Sequence, residues 1–147
     1  MSRGLAIGLV AITGLLVGMQ PPVNARLGRE VGGLQAAAFS FIVGTIALAL
    51  VATLFYGGLG SFGQVVKAPA WAWIGGLLGA VYVTVAILTV NTLGVSGLTA
   101  LVICGQLVTA VVIDRFGLLG IARQPVGITR IAGLALLVLG TLLVVRR

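Results

Sequence analysis

Long apolar runs separated by short polar connections constrain this chain more than any other feature. Each run is long enough to cross a hydrocarbon core of about 30 Å at a rise of about 1.5 Å per residue. The runs cover residues 4–24, 33–56, 70–90, 96–113 and 128–145, and the first is kinked near Pro21 and Pro22. Runs of this length are typical of transmembrane helices. We therefore predict an all-α, polytopic membrane protein, a single domain over residues 1–147 that forms a bundle of five transmembrane helices.

The composition indicates that lipid, and not water, surrounds the folded chain. Only 7% of the 147 residues are charged and 60% are hydrophobic, whereas soluble proteins carry about 25% charged residues. So few charges do not cover a water-exposed surface. We expect a multi-pass protein whose main partner is the bilayer.

The positive charge does not indicate nucleic-acid binding. The formal net charge is +7, but the nine Lys and Arg residues stand singly or in pairs between apolar runs. A groove that follows a phosphate backbone needs a basic stripe with interleaved aromatic residues. The cations fit helix ends that face lipid headgroups instead.

The sequence contains few residues of the types that catalyse reactions. It has one cysteine, Cys104, and no histidine, so the usual Cys and His metal sites are absent. No pairing of a nucleophile with a general base is evident either. We expect no enzyme activity, no metal and no cofactor.

The basic residues are divided almost equally between the two sides of the membrane. A five-span topology places five cations on one side and four on the other. With numbers this close, the positive-inside rule predicts no clear orientation. The two sets are Arg3, Lys67, Arg115, Arg123 and Arg130 against Arg26, Arg29, Arg146 and Arg147. This balance favours dual topology and an antiparallel homodimer; the alternative is an N-in protein oriented by another subunit or by lipid.

Polar residues within the fourth apolar run are candidates for binding a solute. Gln106 lies near the middle of the run, and Thr99 and Thr109 share its helical face. Polar groups at this depth cost free energy unless they face a partner or a cavity. The face is either one wall of a substrate cavity or a set of interhelical hydrogen bonds.

A second candidate site lies at the end of the first run. Gln20 and Asn24 are one turn apart and bracket Pro21 and Pro22, which lack the N–H groups that a helix interior needs. A broken helix lined by amides is a plausible ligand site. The alternative, which composition alone favours, is an ordinary helix end that leads into a loop.

Further polar candidates are Thr84 and Asn91, seven residues apart on the third run, and Asp114 at the end of the fourth. Asp114 is the candidate titrating group of a coupled transporter. A carboxylate at a helix end that pairs with a neighbouring arginine is the commoner case. Tyr82 is a candidate for stacking on a flat or cationic solute.

Three segments carry a resemblance to a known family, and the resemblance extends over nearly the whole chain. They are QPPVNARLG at 20–28, WAWIGGLLGAVYVTVAI at 71–87 and ALVICGQLVTAVVIDRFGLLG at 100–120. The sequence resembles the YdcZ-like inner-membrane exporters of the drug/metabolite transporter superfamily. Its last three runs are also similar to small multidrug resistance proteins.

The resemblance implies a five-helix unit of the bacterial inner membrane that exports small molecules. Such units occur singly, in pairs or as fused halves, which agrees with the charge tie. The first run, LAIGLVAITGLLVGM, contains no glutamate. The proton and cation exchange that small multidrug resistance proteins build on that residue therefore does not carry over.

These observations predict an exporter of a small organic solute that works by alternating access as an antiparallel homodimer, or paired with a homologous subunit. The expected cavity residues are Gln20, Asn24, Thr84, Asn91, Thr99, Gln106 and Asp114. Two alternatives stay open. One is a passive dual-topology channel for a small ion, and the other is a non-transporting subunit of a membrane complex.

Overall fold

The N-terminal part of the chain is a pair of long helices joined by one residue. In this computed structural model, which describes residues 1–146, α1 spans Arg3–Val31 and α2 spans Gly33–Phe55. Gly32 joins them at φ 90° and ψ 151°, a backbone region that is open almost only to glycine. Its N–H donates to the Gly28 carbonyl at 2.9 Å and its own carbonyl accepts from the Ala36 N–H at 3.0 Å. The reversal therefore leaves neither of its polar groups without a partner.

Helix α1 does not end at its two prolines. Pro21 and Pro22 lie inside the helix, which runs on to Val31. Nearly all of the interval between the first two predicted runs, residues 25–32, is therefore helix and not a polar connection. Asn24 and Ala25, immediately beyond the prolines, are buried. Tertiary packing of this kind outweighs the local cost of proline.

Two short 3₁₀ helices, Gly60–Lys67 and Ala70–Trp73, link α2 to α3. The indole N–H of Trp73 donates to the Val65 carbonyl at 3.2 Å and fixes this connection. Helix α3 starts at Ile74, four residues later than the apolar run predicts.

Helix α3 spans Ile74–Phe116 and is interrupted at Gly94, which has φ 71° and ψ 163°. The expected connection over residues 91–95 is thus helical except at this one residue. Its 43 residues correspond to about 65 Å of helix, roughly twice a hydrocarbon core. Helix α4 spans Ile128–Val145, as predicted.

The structure confirms the all-α prediction. Within residues 1–146, four helices are long and apolar enough to cross a membrane, and α3 contains most of the third predicted run and all of the fourth. The number of five separate spans stays a prediction, since it depends on whether the stretches 74–93 and 95–116 cross the membrane separately.

The chain forms two compact units, one from Met1 to Asn91 and one that begins at Thr92. The core of the first unit consists of Ala36 and Ala37 of α2 with Val83 and Ile87 of α3. In the second unit, the Thr141 hydroxyl of α4 donates to the Ala100 carbonyl of α3 at 3.3 Å. Most large apolar side chains elsewhere are exposed, as lipid-facing side chains are. A single domain over the whole chain stays a prediction.

Candidate functional site

A groove between α1 and α2 is the candidate site. It has a volume of about 230 Å³ and is open to the surroundings, so it is smaller than the roughly 300–1,000 Å³ typical of enclosed small-molecule pockets. Its lining residues are Gln20, Ser40, Phe41, Gly44, Thr45 and Leu48. They combine an amide and two hydroxyls with an aromatic ring and an aliphatic side chain.

The α2 side of the groove lies halfway along that helix. Helix α2 has 23 residues and is therefore about 35 Å long, close to the thickness of a hydrocarbon core. Residues 40–48 straddle its midpoint. A solute held here is far from the water on either side.

Gln20 is the polar side chain of the groove that is available to a solute. It is half-buried, and among residues 1–146 its accessible amide has no hydrogen-bond partner. The amide offers two donors and one acceptor oxygen. The Thr45 hydroxyl, by contrast, donates to the Phe41 carbonyl at 2.8 Å, which leaves its oxygen able only to accept.

Asn24 serves a different purpose from Gln20. It is buried, and the Ser40 hydroxyl donates to its Oδ1 at 3.0 Å. This bond joins α1 to α2 at the edge of the groove, which Ser40 also lines. Asn24 therefore holds the two helices together, and the helix-end interpretation of this segment is wrong.

The packing of α1 against α3 leaves no room for a solute. Between Pro21 and Asn24 of α1 and Tyr82 of α3 lies a cleft of only about 150 Å³ that is too narrow for a water molecule. Tyr82 packs against the alanine-rich core. Of these two spaces beside Gln20, the one on the α2 side is thus the one that admits a solute.

Thr84 and Asn91 lie outside the groove. The Thr84 hydroxyl donates to the Ala80 carbonyl of its own helix at 2.8 Å. Asn91 is exposed, and its Oδ1 accepts from an Nη atom of Arg29 at 3.2 Å. Both residues therefore have hydrogen-bond partners outside the groove, and neither lines the groove with Gln20.

The remaining predicted residues lie in the second unit. Thr99 is half-buried and Gln106 is exposed. The Asp114 carboxylate accepts from Arg130 of α4 at 2.9 Å, so its partner is an arginine sixteen residues ahead and not the adjacent Arg115. Whether these residues contribute to transport stays a prediction.

Sequence reasoning missed the α2 side of the groove. Ser40 and Gly44 are four residues apart, a spacing of small residues that predicts helix packing rather than a solute site. Phe41, Thr45 and Leu48 lie in the same uncharged run and do not stand out. The spacing of residues 40, 44 and 48 is the signal that was available, since they share one helical face. Gly44, the smallest of the three residues, lies at the centre of that face and lines the groove.

Both carboxylate side chains of the protein are engaged in ion pairs. Glu30 pairs with Arg26 on α1, and Asp114 pairs with Arg130. The sequence contains no other Asp or Glu. The groove itself is lined by uncharged residues.

Comparison with known proteins places this arrangement in a family. No curated protein and no solved structure matches the chain. The family model described as "Putative inner membrane exporter, YdcZ" matches residues 5–143, which includes all four long helices almost completely. The chain therefore belongs to the YdcZ family of inner-membrane exporters and is a multi-pass protein of the inner membrane.

Proposed function

We propose that this protein exports a small organic solute across the inner membrane and binds it in the groove between α1 and α2. The observation that carries the proposal is the unbonded Gln20 amide in a groove at the midpoint of a membrane-spanning helix. Membership of an exporter family supports the direction of transport.

The groove matches a solute with a polar group and an apolar part. Gln20 both donates to and accepts from the polar group, and the Thr45 oxygen accepts one further hydrogen bond. Phe41 and Leu48 contact the apolar part. Because a polar group without a partner is costly in hydrocarbon, each of these bonds is worth more than it is in water.

Two prolines within α1 and one interruption of α3 support alternating access. Transporters place their binding sites next to broken helices, whose freed backbone groups line the cavity. Pro21 and Pro22, next to Gln20, have no backbone N–H. The carbonyls of Val17 and Gly18, four residues earlier, therefore lack their helical hydrogen bonds. Gly94 interrupts α3.

An antiparallel homodimer completes the proposal. The groove is open on one side, so one copy does not enclose a solute. A second, inverted copy covers the opening, and the balance of five cations against four permits both orientations in one membrane. The pair then has the inverted symmetry on which alternating access depends.

The test compares cells that express the wild-type protein with cells that express Gln20→Leu. We expect the wild type to enrich specific metabolites in the medium, measured by mass spectrometry, and Gln20→Leu to reduce that enrichment at least about tenfold. Gln64→Leu is the matched control, since Gln64 lies in the 3₁₀ helix outside the groove.

Three outcomes count against the proposal. Equal enrichment by wild type and Gln20→Leu removes the groove as the binding site. Flux in liposomes that is orders of magnitude faster than a conformational cycle identifies a channel. Purification with a different protein and no flux alone identifies a subunit of a larger complex.

A further inference from the structure

We infer that the groove selects uncharged polar solutes and rejects organic cations and organic anions of the same size. This inference rests on the proposed function, since it concerns the same groove. It follows from the distribution of charge around Gln20.

The walls of the groove carry no charge of either sign. All six lining residues are uncharged, and α2 has no charged residue along its whole length. On α1 the charged residue next after Gln20 is Arg26, about 9 Å farther along the helix axis. An ion bound at mid-depth therefore loses its hydration without gaining a counter-charge, which is costly in hydrocarbon.

Among residues 1–146, neither side-chain carboxylate is free to approach an organic cation. Glu30 and Asp114 are the only acidic side chains, and each already accepts from an arginine. A second copy of the chain in a dimer brings the same two pairs. Recruiting either carboxylate requires breaking its ion pair.

The arginines nearest to the groove along α1 are also engaged. Arg26 pairs with Glu30, and Arg29 donates to Asn91. Both are exposed and belong to the last two turns of α1, beyond the buried Asn24. Arg29 keeps its charge beside the uncharged Asn91 amide, but both arginines bond to residues outside the groove. An organic anion at Gln20 therefore gains no adjacent counter-charge, and hydrogen bonding is the recognition that the groove provides.

The test uses three probes of nearly identical shape: benzamide, benzamidine and benzoate, which are neutral, cationic and anionic at neutral pH. Binding to the full chain in lipid nanodiscs is measured by ligand-observed NMR, with empty nanodiscs as the blank. We expect benzamide to bind at least about tenfold more tightly than either ion, and Gln20→Leu to abolish that binding.

A second variant reverses the selectivity. Gln20→Glu places a carboxylate in the groove, and we expect it to improve benzamidine binding at least about tenfold relative to wild type. Gln64→Glu makes the same chemical change outside the groove and leaves benzamidine binding at the wild-type level.

The outcomes separate this inference from the proposed function. If a charged probe binds the wild type as tightly as benzamide does and Gln20→Leu abolishes its binding, charge selection is wrong while the groove remains the solute site. If no probe shows binding that depends on Gln20, both are overturned. Benzamidine binding that Gln64→Glu improves as much as Gln20→Glu does also overturns charge selection in the groove.

Discussion

At the scale of single residues, two amides one turn apart have different tasks. Asn24 is buried and bonded to Ser40, whereas Gln20 is accessible in the groove and unbonded. Both amides interrupt an apolar run, so the sequence predicts them as candidates. It does not predict Ser40, because serine is a common residue in membrane helices and its partner is sixteen residues away.

The bond between Asn24 and Ser40 predicts a measurable coupling between α1 and α2. We expect Asn24→Ala and Ser40→Ala each to destabilise the protein, with a coupling free energy of about 0.6 kcal/mol and at most about 2 kcal/mol in a double-mutant cycle. The measurement is unfolding in mixed micelles of mild detergent and dodecyl sulfate.

The control for this cycle is Thr53→Ala. The Thr53 hydroxyl donates only to the Ala49 carbonyl of its own helix, so combining this variant with Asn24→Ala is expected to give additive losses. A coupling of zero between Asn24 and Ser40 would mean that their hydrogen bond does not hold the two helices together.

At the scale of whole helices, the sequence predicts most boundaries and fails where a local signal conflicts with packing. Helices α2 and α4 end within one residue of the predicted limits, because hydropathy changes sharply there. In the sequence, Pro21 and Pro22 and the segment Asn91–Val95 are both local signals that predict the end of a helix. Buried residues beyond Pro22 keep α1 helical, and only Gly94 departs from helical geometry within that segment.

Gly94 predicts a stability loss that is specific to its backbone conformation. Its φ of 71° and ψ of 163° lie in a region that costs other residues about 1–3 kcal/mol. We therefore expect Gly94→Ala to lower the free energy of unfolding by that amount, measured by circular dichroism in detergent.

Gly105→Ala on the same helix is the comparison for Gly94→Ala. Gly105 is helical, and an added Cβ there meets nothing within 4 Å. Alanine favours a helix over glycine by about 1 kcal/mol, so this variant is expected to be neutral or stabilising. Equal losses from the two variants would contradict the role given to the backbone at Gly94.

At the scale of the whole molecule, the balance of cations is the property on which the proposed antiparallel dimer depends. Hydropathy and charge are calculated from the sequence alone, so both the fold class and the nearly equal division of cations are predicted without a structure. The shape of the groove is not readable in this way, because it depends on how closely α1 and α2 approach each other.

A balance this close predicts that two charges are enough to shift the orientation. Lys67→Ala with Arg123→Ala changes the count from five against four to three against four. Ser61→Lys with Gln64→Lys raises the same side to seven. We expect the two double variants to shift the population of orientations in opposite directions.

The readout is a single cysteine at residue 2 in a Cys104→Ser background, labelled by an impermeant maleimide from each side of the membrane. Wild-type protein is expected to label from both sides. Labelling from one side only, unchanged by either double variant, would rule out dual topology and with it the inverted dimer.

The single-residue turn at Gly32 determines when the groove comes into existence. All six residues that line it belong to α1 and α2, so the nascent chain already contains the complete surface once Phe55 has left the ribosome. Everything synthesised later supports, covers or moves a surface whose residues are already present. Errors in the C-terminal half are therefore expected to stop assembly or turnover of the carrier while its preference among solutes survives.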